Sequence, residues 1–172
     1  AARHARVEPG GGAALELLDV QGELAGVRDA LESSRVEVVE LKAYRCTAEN
    51  FKAALAWHPH VLHFVGHGFK AGGAALAFEK EDALADRVEA ADLAELVVAG
   101  AQHVPELVVL SACDSFQGKL SSDGLVGISR AFMAAGAQTL IASLWPIHDS
   151  ATRVLMGRFY GDGCRGNAAV AD

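Results

Sequence analysis

Two short stretches decide how this chain reads: Val61-Leu62-His63-Phe64-Val65-Gly66-His67-Gly68 and Leu107-Val108-Val109-Leu110-Ser111-Ala112-Cys113-Asp114-Ser115. Each is a brief apolar run that ends in a polar, small-residue signature. Runs of this length bounded by turn residues read as buried strands. His67 and Cys113 then sit at two strand tips, 46 positions apart in the sequence. A thiol and an imidazole in such places point to a nucleophile with a base.

Outward from these strands the chain alternates between helical and extended patterns. Leu17, Val20, Leu24, Val27 and Leu31 recur at steps of three and four, which predicts an amphipathic helix over 15–31. Val36-Glu37-Val38-Val39-Glu40-Leu41 is β-branched and predicts a strand. Thr47 is a good N-cap for a helix from Ala48 to Trp57, which Pro59 closes. Beyond the first strand tip, Ala71-Gly72-Gly73 marks a turn and Ala75–Phe78 a short strand. Glu79–Asp86 reads as a solvated hairpin tip. A helix over Glu89–Ala99 has Leu93, Leu96 and Val97 facing inward and stops at Gly100. After the second strand tip, Gly118–Ser122 is loop. Gly124–Ala135 is helical, with Leu125, Ile128, Phe132 and Met133 on one side and a left-handed cap at Gly136. Thr139–Leu144 is another apolar strand, broken by Trp145-Pro146. Ser150–Tyr160 is helical with Val154, Leu155 and Phe159 inward, and Gly161–Asn167 reads as loop.

Strands alternating with helices of this length imply an α/β fold with a mainly parallel sheet covered on both faces. The last helix should lead to a further strand, so the sheet is expected to be incomplete at its C-terminal edge. Residues 1–14, rich in glycine, read as a linker or loop. Residues 15–172 form one domain, expected to be a piece of a longer chain because the first residue is not Met. With 51% hydrophobic and 22% charged residues in 172, the core is ample. A net charge of −7 without a basic stripe argues against nucleic acid and anionic membranes as partners. No apolar stretch reaches the roughly 18 residues that a membrane helix needs. Three cysteines, an odd number in no zinc spacing, fit reduced thiols in a cytoplasmic, intracellular compartment. No metal or organic cofactor is implied.

In a parallel sheet, sites form beyond the carboxyl ends of the strands. If the two strands are neighbours, His67 and Cys113 emerge at the same edge. A free thiol with a pKa near 8.5 is mostly protonated at neutral pH. A nearby histidine can accept its proton and later protonate a leaving amine. Gly66 and Gly68 leave room for substrate near the backbone. The N–H groups of Gly68 and Cys113 can form an oxyanion hole.

The order His-Gly at one strand end, then a small residue and Cys at the next, resembles caspase-like cysteine peptidases, whose His lies about 50 residues before the Cys. The likeness is closer to the CHAT family, caspase-like and separase-related domains often joined to tetratricopeptide repeats. His63–Gly68, Leu110–Asp114, Gly124-Leu125, Ala131–Ala137 and Ser143–Asp149 carry it, over about Glu23 to Tyr160. The resemblance implies a caspase-like three-layer sandwich, a protein or peptide substrate, and tetratricopeptide-repeat segments in the same chain as partners. It implies His67 as base and Cys113 as nucleophile. It makes Asp149 resemble the acidic residue that lines the pocket for a basic side chain before the scissile bond. Asp114 is an alternative acidic wall, and Trp145 is pocket floor or packing. His148, directly before Asp149, departs from the family pattern and would weaken that preference near or below its own pKa.

Blander readings stand beside these. Cys113 can be a buried structural thiol, and Asp149 can simply cap the last helix. His63 reads as a core histidine, His4, His58, His60 and His103 as surface or loop-end residues, and Cys46 and Cys164 as incidental. A catalytically silent scaffold or interaction module is the alternative function. A phosphate-binding doubly wound domain is disfavoured, since no Gly-rich phosphate loop is present.

Overall fold

The computed structural model of the chain describes residues 18–33, 45–69, 75–80, 85–100, 104–112, 124–143 and 148–168. In chain order the elements are α1 (Val20–Ser33), α2 (Ala48–Ala56), β1 (Val61–Val65), β2 (Gly68–Phe69), β3 (Ala75–Glu79), β4 (Ala85–Glu89), α3 (Ala90–Gly100), β5 (Leu107–Ser111), α4 (Gly124–Ala135), β6 (Thr139–Ala142) and α5 (Asp149–Ala168). The described residues fall into two units. One comprises α1 and α5, and the other comprises the remaining elements.

In the larger unit the three apolar runs pair as a parallel sheet in the order β1-β5-β6. Val61 to Val65 lie opposite Leu107 to Ser111, and Leu107 to Leu110 lie opposite Thr139 to Ala142. Alternation along the strands gives one face Leu62, Phe64, Val108, Leu110, Leu140 and Ala142. These join a core completed by Phe51 and Leu55 of α2, Leu93 and Val97 of α3, and Ile128 and Phe132 of α4. The three helices pack side by side, α2 on α3 and α3 on α4. Gly127 permits the second contact, since a Cβ there would stand only 3.2 Å from Ala90 Cβ.

A second sheet, antiparallel, has the order β2-β3-β4. Its Leu76, Phe78 and Val88 enter the same core. The Phe78 ring lies 5.3 Å from Phe51 and 6.0 Å from Phe64 by centroids, so one side chain ties the hairpin to α2 and to the parallel sheet.

Helix ends follow local chemistry. Thr47 Oγ1 accepts from the Asn50 N–H at 3.1 Å, the N-cap expected of it. Gly136 has φ 118°, and the N–H groups of Gly136 and Ala137 reach Met133 and Phe132 carbonyls, closing α4. The exit of α2 differs. His58, a residue the sequence marks only as a loop end, takes φ 59° and donates its N–H to Leu55 O at 2.9 Å.

In the smaller unit α1 and α5 run alongside each other. Asp19 opens α1, its Oδ1 accepting from Gly22 N at 2.9 Å and its Oδ2 lying 3.4 Å from Arg153. A Cβ on Gly26 would be 3.4 Å from Arg153 Cγ, and one on Gly161 would be 3.8 Å from Ala30 Cβ. The pairing of 26 with 153 and 30 with 161 makes the two helices parallel.

Several expectations are corrected. Helix α5 does not end at Tyr160 but runs through Gly161–Asn167 to Ala168. Gly161 is buried, and its contact with Ala30 offsets the poor helix propensity of glycine. The inward face of α5 is Thr152, Met156 and Tyr160, whereas Val154 and Leu155 are exposed. Met133 is likewise exposed, because the buried stripe of α4 runs through Ile128, Ala131 and Phe132. Glu79 and Ala85-Asp86 belong to paired strands rather than to a solvated tip, since β4 lies opposite β3. The expected strand over 36–41, the loop over 1–14, the turn at 71–73 and the loop over 118–122 lie outside the described residues.

Candidate functional site

The two strand tips are direct neighbours. Val65 and Ser111 are the last register pair of β1 and β5, and the ladder continues one step further as Gly66 N donates to Ser111 O at 3.0 Å. Both strands therefore end at one sheet edge, with Ser111 and Ala112 buried there. His67 follows two residues after Val65. Cys113 stands two residues after Ser111 in the sequence and lies outside the described residues, as do Asp114 and Trp145. Asp149 is the first residue of α5, whose opening N–H groups, from Ala151 and Thr152, reach His148 O at 2.8 and 3.0 Å. His148 thus holds the N-cap position that the cap reading gave to Asp149, and its side chain is exposed.

The His67 segment is held from three sides. Gly66 ties it to the parallel sheet. On the other side Ala77 N donates to His67 O at 2.8 Å, and β2 then pairs with β3 through Gly68 with Leu76 and Phe69 with Ala75. Beneath Gly66 lies the Phe64 ring, so a Cβ on this glycine would fall 2.7 Å from Phe64 Cε1. The space that Gly66 vacates is thus filled by Phe64, which corrects the expectation that it leaves room for substrate. The His67 side chain is half-buried, with Nδ1 shielded from solvent.

The orientation of the Gly68 amide follows from the ladder. In an antiparallel ladder, bonded and non-bonded pairs alternate. The bond from Ala77 to His67 makes Gly68 and Leu76 a non-bonded pair, so the Gly68 N–H is directed away from β3. Gly68 itself is buried.

Other candidates separate cleanly. His63 is half-buried within β1, and His58 and His60 are exposed. Cys46 packs against the core, and burial first, then the Glu79 charge, pushes its pKa up to about 12. Such a thiol is inert at neutral pH. Among the described residues, no group of three His, Cys, Asp or Glu side chains is placed to hold a metal, and no helix is long and apolar enough to cross a membrane. Sequence reading missed Ala77, whose N–H donates to His67 O at 2.8 Å, and the ion pair of Glu79 with Arg45 at the end of β3. Their only local signal is the alternation of β3.

A family model described as the CHAT domain matches residues 8–171. The chain belongs to the CHAT family. Among the described residues, its parallel three-stranded sheet and five helices are consistent with the caspase-like sandwich. Among curated proteins, this CHAT domain is similar to tetratricopeptide repeat protein 28 of Mus musculus, 41% identical over 66 residues, and of Homo sapiens, 36% identical over 70. The matches cover 38% and 39% of the CHAT chain, and only 3% of either relative's length.

Proposed function

We propose that this CHAT domain is a cysteine endopeptidase with a His67/Cys113 dyad. The observation that supports the reading is the in-register adjacency of β1 and β5, whose shared edge carries His67 and leads into Cys113. In this reading Cys113 Sγ attacks the peptide carbonyl and its proton passes to His67. The N–H groups of Gly68 and Cys113 hold the oxyanion. His67 then protonates the departing amine, leaving a thioester. Water, deprotonated by His67, attacks that thioester and releases the acid and the thiol. Asp149, with Asp114 and Trp145 as further contributors, would favour a basic side chain before the scissile bond; family resemblance supports this part. The substrate is a protein or peptide.

The test is a covalent probe with a basic side chain. Labelling is expected on the wild type and lost in Cys113→Ala, with a marked drop in His67→Ala. Equal labelling of wild type and Cys113→Ala overturns the proposal.

The similarity to tetratricopeptide repeat proteins favours a second reading, a non-proteolytic module that engages repeat segments. That reading fails if Cys113→Ala abolishes the biological role while binding to the repeats persists.

A further inference from the structure

One edge of β3 holds two separate pieces of chain, residues 67–69 and Cys46. Toward its start it pairs with β2, at Ala77 it bonds His67 O at 2.8 Å, and at Glu79 its N–H reaches Cys46 O at 2.6 Å. Ala77 and Glu79 are two apart, so their N–H groups lie on the same edge. The strand thus fixes the His67 segment relative to residues 45–47, which precede the capped helix α2. A slip of β3 by one residue would break both bonds at once and turn Phe78 out of the core.

A polar clamp fixes the register at the far end. Arg45 Nε–H donates to Glu79 Oε2 at 3.1 Å, and Arg45 Nη2 lies 2.7 Å from Oε1 as an ion-pair contact. The Glu79 side chain is only 11% exposed, against 51% for Arg45. One charge-assisted hydrogen bond beside one close charge contact restrains geometry as well as neutralising charge. The other ion pair reaching from β3's end to β4, Lys80 with Asp86 at 3.5 Å, is half-exposed on both sides and touches neither residues 45–47 nor His67.

We infer that the Arg45–Glu79 clamp is a positioning device for His67, acting along β3 through the Ala77 to His67 hydrogen bond. Glu79 and Arg45 touch no reacting atom; they set where the base sits. The inference rests on the dyad reading for its catalytic consequence, but not for its geometry.

The full chain is compared with Glu79→Gln, Arg45→Lys and, as a control, Lys80→Ala. The readouts are the imidazole resonances and titration of His67 by NMR, Ala77 amide exchange, and peptidase turnover. Glu79→Gln is expected to move the His67 resonances, speed Ala77 exchange, and lower kcat by about tenfold with KM little changed, since small misplacements of a reacting group are costly. Arg45→Lys keeps the charge but loses the Nε–H donor to Oε2, and gives a smaller change in the same direction. The swapped pair Arg45→Glu with Glu79→Arg restores part of each effect, and Lys80→Ala matches wild type. If no variant folds except Arg45→Lys, that variant alone decides. His67 resonances and Ala77 exchange identical to wild type in folded clamp variants overturn the inference. Shifted resonances in a chain that cleaves nothing support the positioning and refute the peptidase reading instead.

Discussion

Single residues in this domain behave according to what surrounds them, and Cys46 shows it best. Its free thiol has the chemistry of a nucleophile, yet burial and the Glu79 charge hold its pKa near 12. In the unfolded chain the thiol ionises near 9.0. The folded pKa is raised, so the associated stability is present in full below pH 9.0 and is lost as pH rises toward 12. At about pH 10.5 the loss is about 2 kcal/mol relative to neutral pH. Urea midpoints of wild type and Cys46→Ala at the two pH values check this, with the variant expected to lack that part of the alkaline decline. The sequence already marked Cys46 as lacking a neighbouring base, but its burial beside Glu79 joins residues far apart in the chain. The same holds for Gly66. Its local meaning as a turn residue is legible, while the Phe64 ring beneath it becomes visible only once β1 is seated on the core.

Elements were legible where one face is buried and the ends carry chemistry. Val61–Val65 and Gly124–Ala135 have the boundaries expected of them, and Thr47 and Gly136 act as the cap and stop that their residue types announce. Gly136→Ala tests the second. A Cβ there would meet Val104 Cβ at a comfortable 3.9 Å, so the cost is conformational and arises from φ 118°. A loss of about 1–2 kcal/mol is expected, read by chemical denaturation. Strand β4 escaped detection because Ala85, Asp86, Arg87 and Glu89 present a charged, half-exposed pattern with only Val88 buried, as edge strands do. Strand β2 is two residues long and has no pattern to read. The buried face of α5 differs from the expected one: Val154 and Leu155 are apolar, yet the neighbouring α1 selects Thr152, Met156 and Tyr160. Of the candidate site, the sequence supplied the residues and the strand ends. It could not supply the hydrogen bonds from Gly66 and Ala77 that orient the His67 segment, since those join separate strands.

At the scale of the molecule, one core serves both sheets of the larger unit, and Phe78 is its junction. Phe78→Ala is expected to cost about 3–5 kcal/mol. Because the ring touches both sheets, amide exchange should quicken in β5 as well as in β3. Exchange that rises in β3 alone would show that the sheets are stabilised separately. Family membership and the α/β alternation agree at this scale, because the pattern of apolar runs that fixes the sheet also carries the CHAT motifs. The pairing of α1 with α5 has a consequence for synthesis. A 14-residue helix is marginal on its own, and its partner begins only at Asp149. At roughly 5–20 residues per second the ribosome takes about 6–23 s to make the intervening chain. During that interval α1 exists without its α5 partner, while the strands that carry His67 and lead into Cys113 are being made.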